Sequence, residues 1–378
     1  MTNIEVIPIH TRKQMRDFVA LPRCIYSGSP QYVPDLDTDV RDTFRPGHNA
    51  GLKFCEVQPF VAYRDGVAVG RIAAIINQHA NTKWKESCVR FGFIEMVDDR
   101  EVAAALLQAV ERWGAERGMT RIQGPLGITD FDKEGMLVED FDLRGSMTAI
   151  YNPPYYPQHL EALGYTKEVD WLQVRIQVPN EVPARFHRVA EYARTQFGLR
   201  VRKLNAKELR GEYALRVFAL LNEAYSPLFG FTEFTPDQVR EFIKKYLPLV
   251  DLRLMPVVEN PEGEIVGVAV TMQSMVKALQ QSRGRLLPLG WFHLLRALRN
   301  NHEDSAEMLL VAVRSDYQGL GVNALFFDDL IPIYNSMGIH WAETGPQLEQ
   351  NARVLSQWKG LQPTFVKRRR CYSKDIGV

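Results

Sequence analysis

A short apolar run followed by two closely spaced glycines constrains the fold of this chain more than any other stretch. Met308 to Val313 is rich in Leu and Val, which is typical of a buried strand. Gly319 and Gly321 come next, and the apolar residues after them recur at helical spacing. The sequence therefore predicts a strand, a glycine turn and a helix in this order.

The start of the predicted helix is suited to bind an anion. The first turn of a helix has backbone N–H groups without partners inside the helix, and the helix dipole adds a partial positive charge there. Because Gly319 and Gly321 have no Cβ, a phosphate can approach closely, and both residues can adopt positive φ. The spacing is neither that of a P-loop nor that of a dinucleotide fingerprint. The alternative is a tight turn that binds no ligand.

Length and composition indicate an ordinary soluble protein. The chain has 378 residues, 46% of them hydrophobic and 24% charged, with a formal net charge of +1. This length predicts two domains, and so small a charge gives no reason to expect nucleic acid as a partner. The four cysteines lack metal-ligand spacing, so we expect no bound metal. Without a secretory signal or an apolar run long enough to span a bilayer, we expect a cytoplasmic location.

Two local matches between the halves indicate a duplicated fold. Asp65 to Gly70 corresponds to Glu262 to Gly267, and Gly118 to Pro125 corresponds to Gly338 to Pro346. The matches occur in the same order at similar positions, which favours repetition over chance. The expected domains are residues 1–179 and 180–378.

The glycine turn also resembles a known family motif. Gln318 to Asn323 reads Gln-x-x-Gly-x-Asn and is similar to Gln/Arg-x-x-Gly-x-Gly/Ala of the GNAT superfamily of acyl-CoA-dependent N-acyltransferases, with a departure at the last position. A register that begins at Arg314 or Ser315 is the alternative. The resemblance implies an α+β fold of two tandem GNAT domains, each with a twisted, mostly antiparallel sheet flanked by helices.

Acyl-CoA is the cosubstrate that this resemblance implies, without a permanently bound cofactor. Strand amides would hold the pantetheine arm and the thioester carbonyl, and the turn would hold the diphosphate. For Asn351, which the family places near pantetheine, a helix cap is the alternative. The residues expected to bind coenzyme A are Val311, Val313, Gln318, Gly319, Leu320, Gly321, Val322, Asn323 and Asn351.

The first half departs from the family pattern. Phe91 to Glu95 and Asn152 to Tyr156 resemble a bacterial group of double-domain GNAT proteins. However, Val97 to Glu101 replaces the glycine turn with a segment that contains three acids, which would repel a diphosphate. We therefore expect the first domain to lack a coenzyme A site and to shape the amine site.

Attack of an amine on a thioester needs a base for the amine and a proton for the leaving thiolate. Glu343 is the first candidate base because it lies on the strand predicted beside the key strand; its alternative is a surface position on an edge strand. Glu307 is the second candidate, and His302 and Glu95 are weaker ones. The family often uses a tyrosine on the helix after the asparagine, but none is present there, which leaves Tyr334, Tyr155, Tyr372 or water as the acid. Core packing is the alternative for Tyr155 and for Tyr156.

A basic, apolar insertion provides a hypothesis about the acyl group. From Ile265 to His302 the chain has no Asp or Glu, while residues 283–299 combine arginines with a tryptophan and several leucines. Such an amphipathic segment suits the inner surface of a membrane or a lipid chain; burial against the other domain is the alternative. The same bacterial group is similar to GNAT-type ceramide synthases, which implies a long-chain acyl donor and a sphingoid-like amine. A non-catalytic acyl-CoA sensor and an acetyltransferase of a small polar amine are the rival functions.

Overall fold

The computed structural model describes residues 4–300 and 303–377, and these residues form two compact units. Unit 1 contains the described residues up to Leu172, together with Val276–Leu295 and the described residues from Lys367 onward. Unit 2 contains Gln173–Met275 and the described residues from Arg296 to Val366. The division at residue 179 stays a proposal for where the duplicated halves meet. The weak candidate base His302 lies outside the described residues.

The first part of the chain alternates strands with helices. Its strands are β1 (Ile4–Pro8), β2 (Cys55–Arg64), β3 (Val67–Asn77), β4 (Cys88–Met96), β5 (Arg121–Gly124), β6 (Met136–Leu137) and β7 (Thr166–Gln177). Its helices are α1 (Arg12–Ile25), α2 (Asp37–Thr43), α3 (Gln78–Trp84), α4 (Arg100–Ala115) and α5 (Tyr155–Ala162).

The second part repeats this alternation with more helices. Its strands are β8 (Arg200–Lys203), β9 (Pro256–Glu259), β10 (Ile265–Gln273), β11 (Ser305–Val313), β12 (Trp341–Thr344), β13 (Gln347–Leu348) and β14 (Thr364–Asp375). Its helices are α6 (Ala184–Phe197), α7 (Ala206–Leu209), α8 (Glu212–Tyr225), α9 (Pro236–Tyr246), α10 (Val276–Ser282), α11 (Gly290–Arg299), α12 (Val322–Ser336) and α13 (Ala352–Ser356).

Unit 1 is built on a mostly antiparallel sheet in the order β1-β2-β3-β4-β5, with β14 beside β5. The exception is the parallel pair of β4 and β5. Helix α4 packs its apolar side on this sheet, and Val102, Leu106 and Val110 are fully buried there. Helix α4 is the crossover between the parallel strands β4 and β5, and its first residues come soon after the end of β4.

Unit 2 has the same construction in the order β12-β11-β10-β9-β8, with the end of β7 beside β12. Here β11 and β12 form the parallel pair, and α12 is the crossover helix. Its buried residues Leu325, Phe326 and Leu330 pack on the sheet together with α6. The prediction of an α+β fold with mostly antiparallel sheets flanked by helices is confirmed.

Each unit contains a strand segment that comes from a distant part of the sequence. In unit 1, Tyr372 to Asp375 of β14 pair with β5. In unit 2, Arg175 to Gln177 of β7 pair with β12. The sequence pattern predicted both strands but not these partners, because strand periodicity does not identify the partner strand.

A buried carboxylate holds β14 in unit 1. Asp170 on β7 has a side chain that is 1% exposed, and it accepts hydrogen bonds from Arg370 Nε at 2.8 Å and Arg368 Nη1 at 3.2 Å. Burial alone would raise the pKa of Asp170, but its hydrogen bonds with Arg370 and Lys167 outweigh burial and lower the pKa below its usual value. The ionised carboxylate therefore stabilises the fold.

Replacing this carboxylate tests whether it anchors the last strand. Asp170→Asn should lower the free energy of unfolding by about 3 kcal/mol at neutral pH, because it removes the charge on which the arginines converge. Since the pKa of Asp170 is lowered in the folded state, its stabilisation is present above the unfolded pKa of about 3.9 and is lost as the pH falls through the folded value. Urea denaturation between neutral and acidic pH should therefore show a flatter acid limb for Asp170→Asn.

Glu139→Gln is the control for this substitution, because Glu139 pairs with Arg368 but its side chain is 59% exposed. It should cost less than about 1 kcal/mol. Equal stability of Asp170→Asn and the wild type would contradict the anchoring role.

Candidate functional site

The parallel strands of unit 2 separate part of the way along β11. Ser305 to Met308 pair with β12, and β11 then continues to Val313 without β12 beside it. The pairing with β10 also shifts at this point, because Val270 pairs with Leu310 while Thr271 pairs with Met308. Leu309 is thus the extra residue of a β-bulge, a feature that often lies next to active sites. We call the stretch from Leu309 to Val313 the open edge of β11.

Alternate backbone groups of the open edge, those of Val311 and Val313, point away from β10. The Arg314 amide donates to Val266 O on the β10 side at 2.9 Å. Since amides alternate in direction along a strand, those of Val311 and Val313 point to the opposite side. Val311 N–H donates to the Tyr225 hydroxyl at 3.2 Å, and that hydroxyl donates to Val311 O at 3.0 Å. The Gln318 amide group donates to Val313 O at 3.3 Å.

The glycine turn leads from the open edge to the start of α12. Gly319 has φ of 86° and Gly321 has φ of 91°, conformations that favour glycine. A Cβ on Gly321 would lie 3.1 Å from Ala193 Cβ and 3.2 Å from Val189 O, so this glycine also allows α6 to pack closely. A Cβ on Gly319 would meet no atom within 4 Å, so one side of the turn is open.

Free backbone amides line this turn. The amides of Gly319 and Gly321 have no hydrogen-bond partner among residues 4–300 and 303–377. Val322 is buried in the core, so only its backbone can contribute to a site. Asn323 Oδ1 is buried and has no partner within the described part of the chain. The residues from Gln318 to Asn323 thus form one connected corner at the start of α12, with Leu320 half-buried within it.

Two residues of α13 belong to the surroundings of the turn. Asn351 caps α13 by accepting a hydrogen bond from the Val354 amide at 3.3 Å, as the helix-cap alternative predicts. Arg353 is exposed and donates to Gln318 Oε1 at 3.2 Å, which places its guanidinium beside the glycine turn. Sequence reasoning missed Arg353. The available signal was a basic residue two positions after the asparagine of the family pattern.

The candidate bases Glu307 and Glu343 are direct neighbours. They pair in register on the parallel strands β11 and β12, two residues before the bulge. Glu307 is 5% and Glu343 is 3% exposed, and β12 lies between β7 and β11 rather than at an edge, which excludes the surface alternative for Glu343. The Glu343 carboxylate accepts hydrogen bonds from Arg175 Nη2 at 2.9 Å and Gln173 Nε2 at 3.2 Å. One cation therefore already compensates part of the charge of this pair.

The tyrosines named as candidate acids lie in different places. Tyr334 is buried in the core under α12, and burial raises its pKa. Its hydroxyl has no hydrogen-bond partner among the described residues. Tyr155 and Tyr372 lie in unit 1, where they donate to Met96 O and Glu161 Oε1, both at 2.8 Å. In contrast, Tyr225 lies on the open edge, although sequence reasoning did not select it.

In unit 1, side chains fill the equivalent helix start. Asp99 caps α4 by accepting a hydrogen bond from the Glu101 amide at 2.8 Å, and it pairs with Arg64 at 2.5 Å. The hydrogen bond from Arg64 lowers the pKa of Asp99. A carboxylate thus occupies the position where unit 2 has open glycine amides.

The corresponding strand edge of unit 1 is also closed. Met96 N–H donates to the Tyr156 hydroxyl at 2.8 Å, and Tyr155 donates to Met96 O. Tyr156 continues into a buried group, where it donates to Glu95 at 2.9 Å and Tyr26 donates to the same carboxylate oxygen. Burial raises the pKa of Glu95. Tyr156 is therefore a core residue, as its packing alternative predicts.

The basic insertion is anchored at one end and exposed at the other. Gln280 donates to the carbonyls of Pro30 and Tyr32 at 2.8 and 3.0 Å, and Gly284 O accepts the Asp37 amide at 2.8 Å, all within unit 1. The apolar side chains that follow are solvent-exposed, up to 77% for Leu287. The exposed apolar residues are Leu287, Leu289, Trp291, Phe292, Leu295 and Leu298, and we call them the apolar patch. None of the described helices is both long and apolar enough to cross a bilayer.

Comparisons with known proteins cover nearly the whole chain, although no family model matches it. The sequence is 30% identical over 379 residues to the bacterial ceramide synthase of Caulobacter vibrioides (strain NA1000 / CB15N), a match that covers 99% of this chain and 98% of that protein. It is 26% identical over 375 residues to protein YghO of Escherichia coli (strain K12), covering 97% and 94% of the two chains.

Two solved structures share the fold. A tandem GNAT protein from the clavulanic acid biosynthesis pathway superimposes with a TM-score of 0.58 at 12% identity, covering 100% of this chain and 99% of that one. A GCN5-related N-acetyltransferase from Sphaerobacter thermophilus superimposes with a TM-score of 0.54 at 14% identity, covering 99% and 96%. Both superpositions extend over nearly the whole of this chain, so the likeness concerns the fold of the full chain.

Proposed function

This chain belongs to the double-GNAT family that includes bacterial ceramide synthase, and we propose that it is an N-acyltransferase that transfers an acyl group from a coenzyme A thioester to a primary amine. The observation that carries the proposal is the open corner of unit 2, where free amides of Gly319 and Gly321 lie at the end of the open edge of β11. Unit 1 has side chains at both equivalent positions, so unit 2 is the proposed donor site.

Three groups would hold the diphosphate and the pantetheine arm. The amides of Gly319 and Gly321 and the start of α12 provide donors and a partial positive charge for the diphosphate. Arg353 adds a guanidinium, which binds phosphate with charge-assisted hydrogen bonds. Backbone groups of Val311 and Val313 would bind the pantetheine arm as a neighbouring strand does.

The reaction follows from where the carboxylates lie. The amine nitrogen attacks the thioester carbonyl carbon, a C–N bond forms, and the C–S bond breaks. Amides of the open edge stabilise the negative charge that develops on the carbonyl oxygen. Glu343, with Glu307 beside it, accepts the proton that the amine loses, and the leaving thiolate takes a proton from water. We assign Glu343 first because Arg175 holds its carboxylate in a fixed position.

A long-chain donor and a lipid amine are the substrates that we propose. The apolar patch exposes six large side chains, which is unusual for a protein that meets only water. Arg283, Arg285, Arg296 and Arg299 flank the patch, and no acid is present between residues 265 and 302. This combination suits a bilayer with anionic lipids. The name of the ceramide synthase relative supports a lipid amine as well.

Coenzyme A binding tests the proposed donor site. Titration calorimetry should show that the protein binds coenzyme A, and Arg353→Ala should weaken the binding about tenfold, because it removes a charged hydrogen-bond donor from the diphosphate. Arg240→Ala is the control, since Arg240 is another exposed arginine of unit 2 and pairs with Asp237 on α9. Absence of coenzyme A binding by the wild type would refute both an acyltransferase and an acyl-CoA sensor.

Thiol release in the presence of amines separates the enzyme from the sensor. Glu343→Gln should lower kcat about a hundredfold or more and leave coenzyme A affinity unchanged, because general-base catalysis contributes rate rather than cosubstrate binding. Glu307→Gln is the matched comparison on the neighbouring strand. Loss of turnover only in Glu307→Gln would move the base to that residue. Full activity of both variants would exclude a role for this pair.

Chain-length preference is measured in the same assay. Palmitoyl-CoA should be a better donor than acetyl-CoA when the acceptor is a long-chain amino alcohol. Equal or better use of acetyl-CoA with a small polar amine would instead favour the acetyltransferase alternative.

Vesicle binding tests the apolar patch. The protein should sediment with vesicles that contain phosphatidylglycerol and less with vesicles of phosphatidylcholine alone, and added salt should weaken the binding. Replacing Leu287 and Trp291 together by Ser should reduce binding about tenfold or more, because both side chains would insert into the interface. Val67→Ser is the control, since Val67 is an apolar residue outside the patch, 65% exposed, at the start of β3 in unit 1. The membrane contact is wrong if the double variant binds as the wild type does.

A further inference from the structure

The Tyr225 hydroxyl makes two hydrogen bonds to one residue of the open edge. It accepts a hydrogen bond from Val311 N–H at 3.2 Å and donates one to Val311 O at 3.0 Å. A tyrosine hydroxyl can donate and accept at the same time, as a residue of a neighbouring strand does with its N–H and C=O. The hydroxyl therefore satisfies both backbone groups that would otherwise bind a neighbouring strand.

The position of Tyr225 in its helix allows it to leave the edge. Tyr225 is the last residue of α8, and the connection from Ser226 to Thr235 follows it. Its side chain is half-buried, and its ring packs edge-on against Phe231 at 5.7 Å between centroids. The side chain therefore leaves from the end of a helix rather than from a buried strand.

Unit 1 provides the contrasting arrangement. There the edge residue Met96, which pairs with Gly70 as Val313 pairs with Gly267, is bound by two tyrosines of α5, Tyr155 and Tyr156. Tyr156 is 1% exposed, and its hydroxyl also bonds to Glu95 and lies within 3.2 Å of the Tyr26 hydroxyl. Displacing it would disrupt a buried polar network, which is costly. The edge of unit 1 is therefore closed by a buried polar network, whereas Val311 on the edge of unit 2 is bound by one side chain at the end of a helix.

We propose that Tyr225 occupies the pantetheine position in the free protein and that an amide group of the acyl-CoA arm displaces it. This inference rests on the proposed function and names a residue that regulates the affinity of the same site. Pantetheine contains amide groups in succession, so the C=O of one can accept a hydrogen bond from Val311 N–H while the N–H of another donates to Val311 O, as the hydroxyl does alone. The tyrosine and the cosubstrate thus compete for one N–H and one C=O group.

Competition predicts that removing the Tyr225 hydroxyl increases the affinity for coenzyme A. Tyr225→Phe leaves the backbone groups of Val311 unpaired in the free protein, but it leaves them paired in the complex. Coenzyme A should therefore bind at least about fivefold more tightly to the variant than to the wild type, as expected when two neutral hydrogen bonds are lost from the free state. Adenosine 3′,5′-bisphosphate, which lacks the pantetheine arm, should bind equally to both proteins.

Two measurements with one control make the test decisive. Calorimetry gives both affinities, and hydrogen exchange followed by mass spectrometry should show faster exchange of peptides that contain Val311 in free Tyr225→Phe, with protection restored by coenzyme A. Tyr246→Phe, at the exposed end of α9, should match the wild type in both measurements.

The outcomes separate the two proposals. Equal coenzyme A affinity of wild type and Tyr225→Phe would overturn displacement, and weaker binding to the variant would show that Tyr225 contacts the bound cosubstrate instead. Absence of coenzyme A binding by both proteins would overturn the proposed function, and this inference with it.

Discussion

Unpaired backbone groups at the point where β11 and β12 separate determine most of the features of the proposed site. A buried N–H or C=O group needs a partner, and a parallel strand pair that ends at Met308 leaves the following residues without one on that side. The bulge at Leu309, the hydroxyl of Tyr225 and the amide group of Gln318 all lie along this unpaired edge. A ligand with amide groups can satisfy the same edge, so the constraint that shapes the fold also favours the ligand that we propose.

The two units meet this constraint in opposite ways. Both have a parallel pair followed by a crossover helix, so both present an edge and a helix start at the same place. Unit 1 satisfies its edge with two tyrosines, of which Tyr156 is buried, and its helix start with the carboxylate of Asp99. Unit 2 has glycines at its helix start, and one half-buried tyrosine on its edge. The difference between a closed copy and an open copy therefore depends on a few side chains rather than on a different fold.

The sequence predicted what local patterns encode and missed what distant residues contribute. The strand, the glycine turn and the helix from Met308 onward follow from hydrophobic spacing and from the two glycines, and the α+β fold was implied by the resemblance to the GNAT superfamily. Tyr225 is remote in sequence from Val311, which it contacts, so no local pattern points to it. For Arg353 the signal was its position two residues after Asn351, but its contact with Gln318 is nonlocal. The partners of β7 and β14 are equally nonlocal. Asn351 shows the remaining ambiguity, since an asparagine at a helix start fits a cap as well as a ligand contact.

The exposure of the apolar patch argues for a lipid substrate more strongly than its sequence does. An amphipathic segment can bury its apolar side against its own protein, yet here the anchoring hydrogen bonds of Gln280 and Gly284 hold the start of the insertion while Leu287 and Trp291 remain exposed. Leaving such side chains in water costs about 1.5–3 kcal/mol each relative to burial, so a surface that covers them would bind favourably. A donor or acceptor with a long alkyl chain resides in or near a bilayer. An enzyme for small polar amines would gain nothing from this patch, whereas an enzyme for lipid amines would meet its substrate where the patch binds.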